Sequence, residues 1–137
     1  MKTYTKIKTM AKKPSGFTII ELMIVIMIVA ILVSLAYPSY VGYVRKAKRG
    51  EAQQLLLNWA INQEIWRSNN TAYTDTLAPT HDDYTFAAGN VGAATYTLTA
   101  TAAVGNDQEN DKARNGTSCS AITLTQAGAK TEVVCWD

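Results

Sequence analysis

Residues Phe17 to Tyr37 read FTIIELMIVIMIVAILVSLAY, an apolar run interrupted only by Thr18, Glu21 and Ser34. As a helix these residues rise roughly 31 Å at about 1.5 Å each, enough to cross a hydrocarbon core of about 30 Å. The run is apolar on every side, so it is not the one-sided helix of a small soluble domain. The rest of a 137-residue chain is too small to enclose it. A membrane span is the reading that fits, and Glu21 is its anomaly. An acid inside a span costs on the order of 2.5–3.5 kcal/mol and usually has a functional partner. The alternative is that Glu21 lies near the interface and reaches into water.

Charge is segregated around this run. Residues 1–16 carry five lysines and no acid, and Arg45, Lys46, Lys48 and Arg49 follow the run. Residues 50–137 hold ten acids against four bases, a balance of −6. An acidic globular part does not draw nucleic acid by bulk charge. Basic segments on both sides of an apolar run are a membrane pattern. A removable secretory signal would be followed by a small-residue cleavage site. None follows here. The small-residue site with a basic lead-in comes before the run, at Lys12-Lys13-Pro14-Ser15-Gly16. A cut there removes the lysines and keeps the apolar helix.

Gly16-Phe17-Thr18-Ile19-Ile20-Glu21-Leu22-Met23-Ile24-Val25 resembles the processing motif of type IV prepilins. The resemblance implies that a membrane prepilin peptidase cuts between Gly16 and Phe17 and that Phe17 becomes the N-methylated terminus. It also makes Glu21 the assembly carboxylate, pairing with the Phe17 amine of a subunit already in the filament. Gly16 has no side chain to obstruct the protease. The 16-residue leader is longer than is common in the family, and a start at Met10 would give the seven-residue leader MAKKPSG. Pro38 removes the amide that would bond the carbonyl of Ser34, and Gly42 follows, so a kink or loosened stretch is expected there. The family implies that this stretch is curved.

Beyond the span, Arg45, Lys46, Lys48 and Arg49 read as a solvated or headgroup-contacting collar, with a nucleic-acid patch as the alternative. From Glu51 to Trp66 the pattern is helical, with Ala52, Leu55, Leu56, Trp59 and Trp66 on one face. That face is expected to lie on the protein's own sheet. Leu57, Ile61 and Ile65 form a second stripe, facing neighbouring subunits or a covering loop. Asn69-Asn70-Thr71 marks the helix end, and residues 69–83 form a connection. Strand patterns follow at Tyr84–Ala88, Thr95–Ala103, Ser120–Gln126 and Thr131–Trp136, with a hairpin turn at residues 127–130. In the second of these, Tyr96, Leu98, Ala100 and Ala102 alternate with threonines, the mark of a half-buried strand. Cys119 and Cys135 stand in an extracytoplasmic setting, where a disulfide is the natural state. The resemblance implies that this bridge bounds a surface-exposed region of the filament.

The expected architecture is α+β, a long N-terminal helix on a C-terminal antiparallel sheet, similar to the ladle-shaped pilins. The expected organisation is a leader at 1–16, a transmembrane and assembly helix at 17–44, and a globular domain at 45–137. Asp107-Gln108-Glu109-Asn110-Asp111 alternates acids but has Lys112 and Ser118 where a calcium loop needs Gly and Glu, so it reads as a solvated acidic loop. His81 stands apart from any cysteine nucleophile or metal cluster. No catalytic constellation, metal site or cofactor is expected. The implied function is a structural subunit of a type IV pilus serving adhesion, twitching motility or DNA uptake. The alternatives are a minor pilin specialised for DNA uptake or adhesion and a pseudopilin of a type II secretion system. The implied partners are other pilin subunits, the prepilin peptidase, the inner-membrane assembly machinery and, before assembly, the membrane. Nucleic acid is not expected on the globular domain. The location is the bacterial inner membrane, then an extracellular fimbrium.

Overall fold

The computed structural model describes residues 16–137, and the leader residues with the alternative start at Met10 lie outside them. One helix, α1 (Ile19–Arg67), runs for 49 residues and does not end at Pro38. The chain divides into two units at Tyr37 and Pro38. In the first, every described side chain is exposed. The second contains the sheet.

Three strands, β1 (Tyr84–Gly89), β2 (Thr97–Ala102) and β3 (Ala121–Thr125), form an antiparallel meander in the order β1-β2-β3. Thr99 of β2 sits between Ala87 of β1 and Thr123 of β3. The alternation in β2 sends Leu98, Ala100 and Ala102 inward, next to Tyr96 just before the strand. They meet Ala52, Leu56 and Trp59 of α1 in a single core with Tyr84, Ile122 and both cysteines. Trp59 presents its ring edge-on to Phe86, with centroids 6.4 Å apart. Small residues on β2 let the large Trp59 and Leu56 side chains approach the sheet, which is how facing layers reach native density.

One expected core assignment fails, and another, Leu55, is only half-buried. Trp66 is 39% exposed, and the buried position one turn earlier belongs to Gln63. Its amide is satisfied twice by the backbone of Thr74, donating to the carbonyl at 2.6 Å and accepting from the amide at 3.0 Å. Gln63 therefore pins the connection after α1 as a strand neighbour would.

The fourth expected strand is also absent. Gly128, at φ 75°, turns the chain after β3, and Leu124 pairs once with Lys130. Glu132 then takes a left-handed conformation and starts a 3₁₀ turn at Val133–Trp136. Continued from Leu124↔Lys130, the antiparallel register would place Cys135 opposite Cys119. The disulfide between them, with Cα atoms 5.6 Å apart, holds that far end. Gln53 donates to the Cys135 carbonyl at 2.7 Å, so the terminal segment is tied to α1 as well. A covalent end and a single bridge replace the ladder.

The basic stretch and the acidic loop engage one another, although Lys46, Asp107, Glu109 and Asn110 stay exposed as a solvated loop and collar would have them. Residues 107–110 form a 3₁₀ turn N-capped by Asn106, and it grips α1. Asp107 takes Arg45 in a two-pronged ion pair at 2.6 and 2.8 Å, and Asp111 takes Arg49 with both side chains almost wholly buried. Asp83, at the entrance to β1, takes Lys48 at 2.7 Å. Gln108 donates to the Arg45 carbonyl at 2.9 Å and to the Tyr84 hydroxyl at 2.8 Å. Three acidic anchors thus hold Arg45, Lys48 and Arg49 of α1 against the loops around the sheet.

The hydrogen bond from Lys48 holds the Asp83 carboxyl below its ordinary range, and that from Arg45 does the same for Asp107. A depressed folded value gives stability that is complete above the unfolded value of about 3.9 and lost as pH falls through the folded one. Urea midpoints of the full chain in detergent should therefore fall steeply below about pH 4, and Asp83→Asn should flatten that fall. An unchanged slope in the variant would remove Asp83 from the clasp.

Candidate functional site

Gly16, Phe17 and Thr18 lie outside the helix, and α1 begins at Ile19. Thr18 and Glu21 cap this end reciprocally. The Glu21 amide donates to the Thr18 hydroxyl at 3.2 Å, and the Thr18 amide approaches the Glu21 carboxylate at 3.5 Å. This is a capping box, in which two of the helix's orphan amides find side-chain acceptors. Its Thr-x-x-Glu spacing is legible in the sequence. The geometry turns the Glu21 carboxylate back toward the Thr18 amide and places it at the helix N-terminus, where negative charge is favoured. Thr18 therefore stands with Glu21 at the helix end that follows the expected cleavage residues Gly16 and Phe17.

From Phe17 onward the apolar side chains are bare. Phe17 is 86% exposed and Ile19 82%, and the exposure continues through Leu35 and Tyr37 to Tyr40. The helix is long and apolar enough to cross a membrane. Ser34 donates its hydroxyl to the Ile31 carbonyl at 2.7 Å, so its polarity is satisfied within the helix. Pro38 lies inside α1, and Gly42 is four residues further on with open space around its Cα. On the second half of α1, Leu57, Ile61 and Ile65 are exposed at 44%, 58% and 61%. No loop covers this stripe among the described residues.

A groove of ≈ 700 Å³ opens beside α1, with Gly42, Tyr43 and Lys46 on one side and Lys112 and Arg114 opposite. The opposite wall is a tight turn. The Ala113 amide bonds the Thr117 carbonyl at 2.9 Å, and Gly116 adopts φ 86°. The groove brings together bases that are far apart in sequence. Elsewhere, His81 accepts from the Asp83 amide at 3.0 Å and lies 3.3 Å from Glu51, a structural position beside the clasp. Among the described residues no group of three His, Cys, Asp or Glu side chains could hold a metal ion.

Comparison with known proteins agrees at both ends of the chain. Residues 11–37 match the prokaryotic N-terminal methylation motif. Residues 38–123 match the family described as type IV minor pilin ComP, DNA uptake sequence receptor. The fimbrial protein EcpC of Eikenella corrodens is 32% identical over 115 residues, which cover 75% of this chain and 74% of that protein. The fimbrial protein of Neisseria meningitidis serogroup A is 42% identical over 64 residues, 42% of this chain and 38% of its own length. The chain thus spans less than half the length of that relative. Among solved structures, a type IV pilin from Shewanella oneidensis aligns with a TM-score of 0.51 at 20% identity, over 68% of this chain and 98% of that one. The minor pilin PilV of Neisseria meningitidis aligns at 0.54 with 15% identity, over 66% and 87%. These two show the fold alone. With the helix, the meander and the terminal disulfide in place and the greater part of its length matched, the chain belongs to the type IV pilins, in the family of the minor pilin ComP.

Proposed function

We propose that this chain is a structural subunit of a type IV pilus, cut between Gly16 and Phe17 by a prepilin peptidase and polymerised through α1. The observation that carries the reading is a helix end bare of protein cover on every side, with Glu21 as its single acid. Lipid covers such a surface in the precursor pool of the inner membrane, and the helices of neighbouring subunits cover it in an extracellular filament. Cleavage creates an amine at Phe17. The Glu21 carboxylate, already turned toward that end by Thr18, neutralises such an amine on an adjacent subunit. N-methylation of Phe17 leaves the charge in place. Pro38 and Gly42 supply the point where α1 bends or loosens during packing. The exposed stripe of Leu57, Ile61 and Ile65 meets neighbouring subunits.

A second reading concerns the subunit's task. The match over residues 38–123 and the basic groove favour a minor pilin that binds DNA, against the expectation from bulk charge. The balance of −6 over residues 50–137 acts over long range and is screened beyond about 8 Å at physiological salt, whereas a phosphate in the groove meets Lys46, Lys112 and Arg114 directly. Adhesion and twitching motility draw no support from a comparable local feature.

Assembly can be followed on sheared filaments and membrane fractions from cells expressing this chain alone. Gly16→Val should accumulate uncut precursor, and Glu21→Ala should be cut normally but yield few filaments. Leu57→Asp and Ile61→Asp should be cut and folded yet poorly incorporated. Normal filament yield from Glu21→Ala would overturn the assembly role of that carboxylate. For DNA, purified full chain in detergent should bind a short duplex, with Lys112→Gln/Arg114→Gln lowering the log–log salt slope by about two. Equal slopes for variant and parent would reject the groove as the DNA site.

A further inference from the structure

Three of the four cations at residues 45–49 are consumed by carboxylates. Lys46 is the remaining one, and it lines the groove with Lys112 and Arg114. Among the described residues none of these three has a carboxylate within ion-pair distance. Asp137 also lines the groove, so three uncommitted cations face one acid there. The groove starts at Ser39, two residues past Tyr37 in the same helix, and its wall includes the Tyr43 ring. Tyr37, Tyr40 and Tyr43 are all exposed, at 65%, 67% and 75%.

Tyrosines next to an apolar span are the residues that settle at headgroup level, where one end of the ring is dry and the other wet. Cations placed there meet the phosphates of lipids, each contributing through the surface potential of anionic lipid. We propose that, while the subunit waits in the membrane, this groove holds the headgroup of an anionic phospholipid. The phosphate lies between Lys46, Lys112 and Arg114, and the Tyr43 ring lies along the glycerol. The inference rests on the membrane stage proposed above. Its concave form and a size within the usual range of small-ligand sites suit one headgroup. A phosphate held there also occupies the cations that a DNA phosphate would use, so the lipid-bound subunit is shielded from DNA until it leaves the membrane.

The test is native mass spectrometry of the full chain released from detergent micelles containing equal amounts of phosphatidylglycerol and phosphatidylcholine. The expected result is preferential retention of phosphatidylglycerol, falling about fivefold for each cation removed in Lys112→Gln/Arg114→Gln. The charge-conserving Lys112→Arg/Arg114→Lys variant should keep the preference, and thermal unfolding should report the same fold for all three proteins. For the parent chain alone, short-chain phosphatidylglycerol should shift the NMR signals of residues 39–46 and 112–115. Equal retention of both lipids by the parent, shifts confined to other residues, or a preference untouched in a folded Gln variant would each overturn the proposal. Loss of duplex binding with the lipid preference intact would overturn it too, and would leave the groove to DNA. A lipid preference that persists in a chain failing the Gly16 and Glu21 tests would support the site while rejecting the pilus reading.

Discussion

The whole molecule is arranged around one surface that it cannot cover. From Ile19 to Tyr40 the helix turns apolar side chains outward in every direction, and each of them is exposed. Water does not tolerate that area without cost, since each buried methylene is worth about 0.8 kcal/mol. Lipid and the helices of like subunits are the two media that accept it. Polar atoms inside the stretch are accordingly satisfied locally, Ser34 on the backbone of its own turn and Glu21 against Thr18. Glu21 is the one carboxylic acid of the stretch, and a charge in such a medium is tolerated when another charge meets it.

Where the bare helix gives way to a covered one, the change is abrupt and electrostatic. Arg49 is the first buried residue of α1, and Asp111, its partner, is equally buried. A buried ion pair adds little net stability because both ions lose their water. Its use here is positional: Arg49 fits one carboxylate, and Gln108 and Asp107 fix the turn that carries it. Sliding α1 along the sheet by one residue would strand two buried charges. The hydrophobic contacts of Leu56 and Trp59 supply attraction, and the clasp supplies the register.

Much of this is readable in the residues, and the failures have a common cause. The alternation through Tyr96, Leu98, Ala100 and Ala102 places a half-buried strand because side chains in a strand point to opposite faces in turn. The two cysteines pair as their setting requires. Trp66 misleads because helical angle alone does not say where the sheet beneath stops, and Gln63 is hidden because burial of an amide depends on a backbone partner eleven residues away. The segment from Thr131 to Trp136 has a strand's composition, yet Glu132 at φ 49° breaks the ladder where nothing in the local pattern signals it. Thr18 was legible through its spacing to Glu21. The clasp was not, because Arg45 and Asp107 are 62 positions apart.

The same long-range pairing alters what the charge of this domain means. Counted along the chain, the globular part is acidic, and the count treats every carboxylate as free to face solvent. Asp83, Asp107 and Asp111 are not free. They are spent on Lys48, Arg45 and Arg49 and contribute little field beyond those partners. Pairing removes from view the very cations that the sequence displays most prominently, and it leaves Lys46, Lys112 and Arg114 as the bases that converge on a concave surface. An anion approaching that surface responds to charges within a Debye length, so the local arrangement outweighs the total. A net count bounds what a protein attracts from a distance; which phosphates it holds depends on which cations the fold has left unpaired.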